Sequence, residues 1–185
     1  MTTANILTLV RMALVPVFLV FAALGGDWAI LTAAIFALAS ATDFVDGYIA
    51  RKYNQVTDFG KLVDPLADKL LVMSALLVFV ERGILPVWGA AIIIGREFAI
   101  TSLRMIAASK GIVIAAAKSG KLKTLVQCIV TILILVLGDN MISLFAGITL
   151  QDVGIYLMIF VSLYSCVDYF ITNKGVLKGS MSKQN

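Results

Sequence analysis

Apolar residues run almost unbroken through six stretches of this 185-residue chain, at approximately 6–26, 28–50, 63–81, 84–107, 120–138 and 152–172. Each is close to the 20 or so residues that a helix needs to cross the hydrocarbon core of a bilayer. The pattern therefore predicts an all-α fold, a polytopic membrane bundle of six transmembrane helices that forms a single domain over 1–185. The first stretch resembles a signal peptide only in its hydropathy. Residues 1–5 carry no basic side chain, Arg11 interrupts the apolar run and no A-x-A site follows, so it is read as a retained span. The polar tail over 179–185 is expected to fray.

Charge orients the bundle. The connections 51–62 and 108–119 and the tail from 173 hold Arg51, Lys52, Lys61, Lys110, Lys118, Lys174, Lys178 and Lys183, with Lys121 and Lys123 just inside the fifth stretch. The other connections hold Arg82 beside Asp27, Asp139 and Asp152. Basic residues accumulate on the cytoplasmic side, which places both termini there. Composition agrees with a membrane: 61% of residues are hydrophobic and 14% charged, against about 45–50% and 25% in soluble domains. The formal charge of +4 is then read as basic loops meeting anionic lipid headgroups, with no nucleic-acid partner. Cys128 and Cys166 lie in apolar runs without metal-binding spacing and imply no disulfide. The chain has no histidine, which removes the commonest general base and the commonest transition-metal ligand.

What remains is a set of polar residues inside apolar stretches. A carboxylate at the middle of a spanning helix costs roughly 2.5–3.5 kcal/mol, yet Asp43, Asp46, Asp64 and Asp68 all fall near one membrane face. Asp43 and Asp46 share a helical stripe with Gly47 and Ala50; Asp64 and Asp68 are i, i+4 on the next helix. Converging carboxylates repel one another unless a cation lies between them. An oxygen-only donor set favours the hard ions Mg²⁺ or Mn²⁺, and two such ions suit an in-line phosphoryl displacement. Local structure offers a competing explanation for one pair. Asp64 followed by Pro65 reads as a helix N-cap and first position, with Asp68 favourably placed in the helix dipole. It does not account for Asp43 and Asp46 near a helix C-terminus.

Asp43, Asp46, Gly47, Ala50, Arg51, Gly60, Asp64 and Asp68 stand at the separations D-x2-D-G-x2-A-R-x8-G-x3-D-x3-D. In this the chain resembles the CDP-alcohol phosphatidyltransferase family at every fixed position. The resemblance implies transfer of a phosphatidyl group from CDP-diacylglycerol to an alcohol, with release of CMP. It implies two divalent cations, Mg²⁺ or Mn²⁺, on Asp43, Asp46, Asp64 and Asp68, with Asp68 also the base that deprotonates the acceptor hydroxyl. Asp46, Gly47, Ala50, Arg51 and Gly60 match positions that accommodate the CDP moiety, and Asn5, Thr8 and Thr57 are further candidates for that pocket. It also implies a homodimer.

Further charges bear on the acceptor. Arg96, Glu97 and Arg104 lie in the fourth stretch, and Lys118, Lys121 and Lys123 lead into the fifth. An acceptor that is itself a phosphate ester calls for such cations, and Arg104, Lys118, Lys121 and Lys123 are the candidates to hold its phosphate. The plainer alternative pairs Glu97 with Arg104 and leaves the lysines snorkelling to the interface. Arg96, Glu97, Phe98, Thr101, Leu103 and Arg104, and later Gly120, Lys121, Leu122, Lys123 and Thr124, resemble the bacterial branch of the family that uses sn-glycerol 3-phosphate. Asn5, Thr8 and Arg11 resemble that branch's Pro-Asn-x-x-Thr-x-x-Arg opening, with Ala4 in place of the proline. The resemblance implies a multi-pass protein of the bacterial plasma membrane, its active site facing the cytoplasm. Sister enzymes that use inositol phosphate or serine share the aspartates. A divalent-cation transporter is the alternative from another class, since acidic residues within spans also mark ion pathways.

Overall fold

The computed structural model describes residues 3–174 apart from 53–57, 110, 113, 115–116, 139, 141 and 146, with side chains described except at 3–7, 43–52, 58–65, 68 and 145. Six long helices follow one another: α1 (Thr3–Leu24), α2 (Ala29–Lys52), α3 (Asp58–Glu81), α4 (Val87–Ser109), α5 (Lys118–Leu137) and α6 (Leu150–Thr172). Each of the six apolar stretches falls on one of them, because an uninterrupted apolar run has no solvent-facing side that would favour a strand or a loop. Among the described residues, α5 and α6 are long and apolar enough to cross a membrane.

Two boundaries differ from expectation. The helix carrying Asp64 and Pro65 begins at Asp58, so these residues lie beyond its first turn and neither caps it. The start signal misleads because Phe59, Leu62, Val63 and Leu66 continue one helical period across the proline. The connection before α6 also holds a small antiparallel hairpin, β1 (Ser143–Phe145) with β2 (Ile148–Thr149), in which Ser143 pairs with Thr149 and Phe145 with Ile148. It feeds directly into a capping box. The Thr149 N–H donates to Asp152 Oδ2 at 2.9 Å, and the Asp152 N–H donates back to Thr149 Oγ1 at 3.1 Å.

The apolar core is shared by all six helices. Phe18 of α1 packs at a tilt of 54° against Phe36 of α2 with ring centroids 5.9 Å apart, and Phe79, Leu76, Ile93, Ile134 and Ile155 belong to the same core. At the end away from the aspartates, Arg82 Nη2 donates to the Ala22 carbonyl at 2.7 Å, satisfying one of the last acceptors of α1. The outward faces are apolar too: Val20, Ile30, Leu77, Ile129, Phe160 and Ile171 are all exposed.

Helix α6 approaches its neighbours through glycine. A Cβ on Gly154 would meet Val130 Cγ1 of α5 at 2.8 Å, and one on Gly89 of α4 would meet Ile159 Cδ1 at 2.6 Å. Val130 is β-branched and has little rotamer freedom with which to yield. Gly154→Leu is accordingly expected to cost about 1–3 kcal/mol of overpacking, read as a lower unfolding midpoint of the detergent-purified protein. An unchanged midpoint would mean that the two helices separate freely.

Candidate active site

The backbone alone locates the aspartates. Asp43 and Asp46 lie in the second half of α2, Asp64 and Asp68 in the first half of α3, and the two helices are in contact. Their side chains, with those of Asn5, Gly47, Ala50, Arg51 and Gly60, fall outside the described set, as does Thr57 altogether. With α3 beginning at Asp58, end-capping no longer explains Asp64, nor the first-turn dipole Asp68. Both pairs are thus carboxylates of helix interiors, the more costly placement. A donor set of oxygen alone, two to each of two touching helices, fits a hard divalent cation.

A cavity of about 80 Å³ opens at the centre of the bundle, walled by α1 to α5. Its rim is tied to the aspartate turns. Ser40 on the wall precedes Asp43 by three residues, Lys69 follows Asp68, and Val72 is one turn further along. Along α2 and α3 the cavity wall therefore comes within about one helical turn, roughly 5 Å, of the Asp43 and Asp68 positions. Among its described lining residues are three cations, Arg11, Lys69 and Lys123, and one carboxylate, Glu97. Arg11 is 1% exposed.

Glu97 organises the wall. Its Oε1 accepts from Arg96 Nη1 at 2.8 Å and from the Lys123 ammonium of α5. Arg96 extends the chain to α6, where Nη2 donates to Ser165 Oγ at 2.6 Å. Three helices are thereby joined through charged, largely buried side chains. The alternative pairing of Glu97 with Arg104 does not form. Seven residues of helix separate these two by about 10 Å, whereas Lys123 reaches in from a neighbouring helix. Arg104 is exposed and its Nε donates to Tyr169 Oη at 3.0 Å.

Of the four candidates for an acceptor phosphate, Lys123 lines the cavity, while Arg104, Lys118 and Lys121 are exposed and do not line it. Thr8 is fully buried beside Arg11 on α1, one turn away. The sequence reading passed over Arg11, Lys69, Glu97 and Gln127 as wall residues. Arg11 carried a usable signal, a lone cation in an apolar run. Gln127, a single neutral residue, carried almost none.

The sequence pattern of the CDP-alcohol phosphatidyltransferase family matches residues 1–167. The chain belongs to that family. It is also 40% identical to the CDP-diacylglycerol–glycerol-3-phosphate 3-phosphatidyltransferase of Bacillus subtilis, over 95% of this chain and 97% of the relative. Identity is 35% to the protein of the same name from Rickettsia bellii, over 90% and 92% of the two chains. It is 46% to a probable phosphatidylglycerophosphate synthase of Mycobacterium tuberculosis, over 68% of this chain and 62% of the relative. In this phosphatidyltransferase the eight signature positions divide between two helices. Asp43 to Arg51 lie on α2, and Gly60, Asp64 and Asp68 on α3. The cavity lies beside both.

Proposed function

We propose that this phosphatidyltransferase is an integral membrane enzyme that transfers the phosphatidyl group of CDP-diacylglycerol to the 1-hydroxyl of sn-glycerol 3-phosphate. The products are phosphatidylglycerophosphate and CMP, a step of phospholipid biosynthesis. The observation that carries the acceptor is the match over 95% of the chain to a relative named for that reaction. The cationic cavity beside the aspartate turns supports it independently, since a neutral acceptor has no use for buried cations.

In this reading all six helices span the plasma membrane of a bacterium as one domain. Both termini and the aspartates face the cytoplasm, and two chains form a homodimer. An apolar perimeter around an apolar core supports the bilayer as solvent. The basic connections at the aspartate end support the orientation.

Two divalent cations, Mg²⁺ or Mn²⁺, held by Asp43, Asp46, Asp64 and Asp68 would supply charge neutralisation to the diphosphate and to the departing CMP. Gly47 and Ala50 leave clearance for the CDP moiety against α2, Arg51 contributes charge and Gly60 allows close approach. Asp46, Asn5, Thr8 and Thr57 complete that pocket. Lys123 binds the phosphate of glycerol 3-phosphate, with Arg11 and Lys69 adding positive potential. Arg104, Lys118 and Lys121 draw the anion in from the cytoplasm. Asp68 takes the proton of the 1-hydroxyl. That oxygen bonds to the lipid-side phosphorus as the bond from phosphorus to the CMP oxygen breaks.

The test is CMP release by the purified enzyme from CDP-diacylglycerol with glycerol 3-phosphate, serine or inositol phosphate offered separately. Turnover with glycerol 3-phosphate is expected to exceed that with either other acceptor by at least about 100-fold, as for a site whose buried polar groups go unpaired with the wrong substrate. Preferential turnover of serine would overturn the acceptor.

A further inference from the structure

Gln127 lies one turn along α5 from Lys123, on the same helical face, and both side chains line the central cavity. It is 5% exposed, and its Nε2 has no hydrogen-bond partner among the described residues. Native proteins satisfy the large majority of buried side-chain polar atoms, and leaving an amide N–H unmade is costly.

The surrounding wall does not relieve it: no described group accepts from Nε2, and Phe36, Leu76 and Ile93 of the lining are apolar. An apolar residue of similar shape, such as methionine, would fill this position without penalty. A donor kept here instead, on a cavity that adjoins the aspartate turns, is matched to an oxygen from outside the protein.

That oxygen has to belong to a molecule that also satisfies Lys123. On the acceptor reading proposed above, on which this inference rests, the phosphate occupies Lys123 and the 1-hydroxyl must be at Asp68. The 2-hydroxyl is then the one polar group of glycerol 3-phosphate left unaccounted for, and it is adjacent to both. We infer that Gln127 is a specificity-determining residue whose amide N–H donates to the 2-hydroxyl of the acceptor. It selects a phosphorylated vicinal diol over a phosphorylated alcohol of the same length that lacks this hydroxyl.

The test compares wild type with Gln127→Met in CDP-diacylglycerol mixed micelles with Mg²⁺, following CMP release with sn-glycerol 3-phosphate and with 3-hydroxypropyl phosphate. Wild type is expected to prefer glycerol 3-phosphate in kcat/KM by at least about 10-fold. In Gln127→Met the preference is expected to fall within about 3-fold, through loss on glycerol 3-phosphate with little change on the deoxy analogue. The variant should also unfold at a higher temperature without substrate, because the unpaired amide is gone. Gln127→Leu reads the same comparison with a differently shaped side chain should methionine fail to fold. Equal losses on both acceptors, or a wild type indifferent to the 2-hydroxyl, would overturn the inference while leaving the acceptor assignment intact. Activity with serine but with neither phosphate would overturn the acceptor reading and this inference together.

Discussion

Asp68→Asn is expected to lower kcat by about 10²–10⁴-fold, the range that a positioned general base contributes, with little change in KM for CDP-diacylglycerol. The substitution keeps shape and removes both a negative charge and the ability to hold a proton. A primary hydroxyl is a weak nucleophile, and the chain contains no histidine that could take over. Asp64→Asn separates the two roles assigned to these carboxylates. It removes a metal ligand and no base, so raised Mg²⁺ should restore much of its activity by mass action, whereas no Mg²⁺ concentration should restore Asp68→Asn. The check is a Mg²⁺ titration of CMP release for both variants. Near-normal turnover in Asp68→Asn, or equal rescue of the two, would remove Asp68 from the role of base.

That distinction depends on a boundary which the sequence misstated. Asp64 and Pro65 imitate a helix start closely enough to offer a reason for acidic residues there that needs no chemistry. The helix in fact starts at Asp58, so the carboxylates of α3, like those of α2, are set in a helix interior without a capping role. The helices themselves were legible because apolar runs of spanning length leave few alternatives. So was the family, because eight residues at fixed separations on α2 and α3 are a demanding match. The cavity wall was much less so. Its residues come from five helices, and sequence spacing within one helix says nothing about which side chain a neighbouring helix presents. Glu97 illustrates this: its partner on its own helix was sought at Arg104, but Lys123 meets it from α5. The β1–β2 hairpin was missed for another reason, since strands of three and two residues are too short to show an alternating pattern.

The Glu97 cluster also gives the second large expected effect. Arg96 and Lys123 are 9% and 5% exposed and share one carboxylate oxygen. Glu97→Ala would leave two buried cations without it, and removing one partner of a buried pair typically costs about 3–5 kcal/mol. The unfolding midpoint in detergent should fall markedly, and KM for glycerol 3-phosphate should rise by at least about 10-fold because Lys123 loses the contact that fixes its direction. Lys123→Ala is expected to raise that KM similarly, and KM for CDP-diacylglycerol much less. Equal effects on the two substrates would argue against a phosphate contact. The double variant Glu97→Gln with Lys123→Met removes charge of both signs, leaves Arg96 bonded to Ser165, and should recover most of the lost stability. It should not recover binding of glycerol 3-phosphate. If the pair serves packing alone, stability and KM would recover together; recovery of stability alone assigns Lys123 to the substrate and Glu97 to holding it in place.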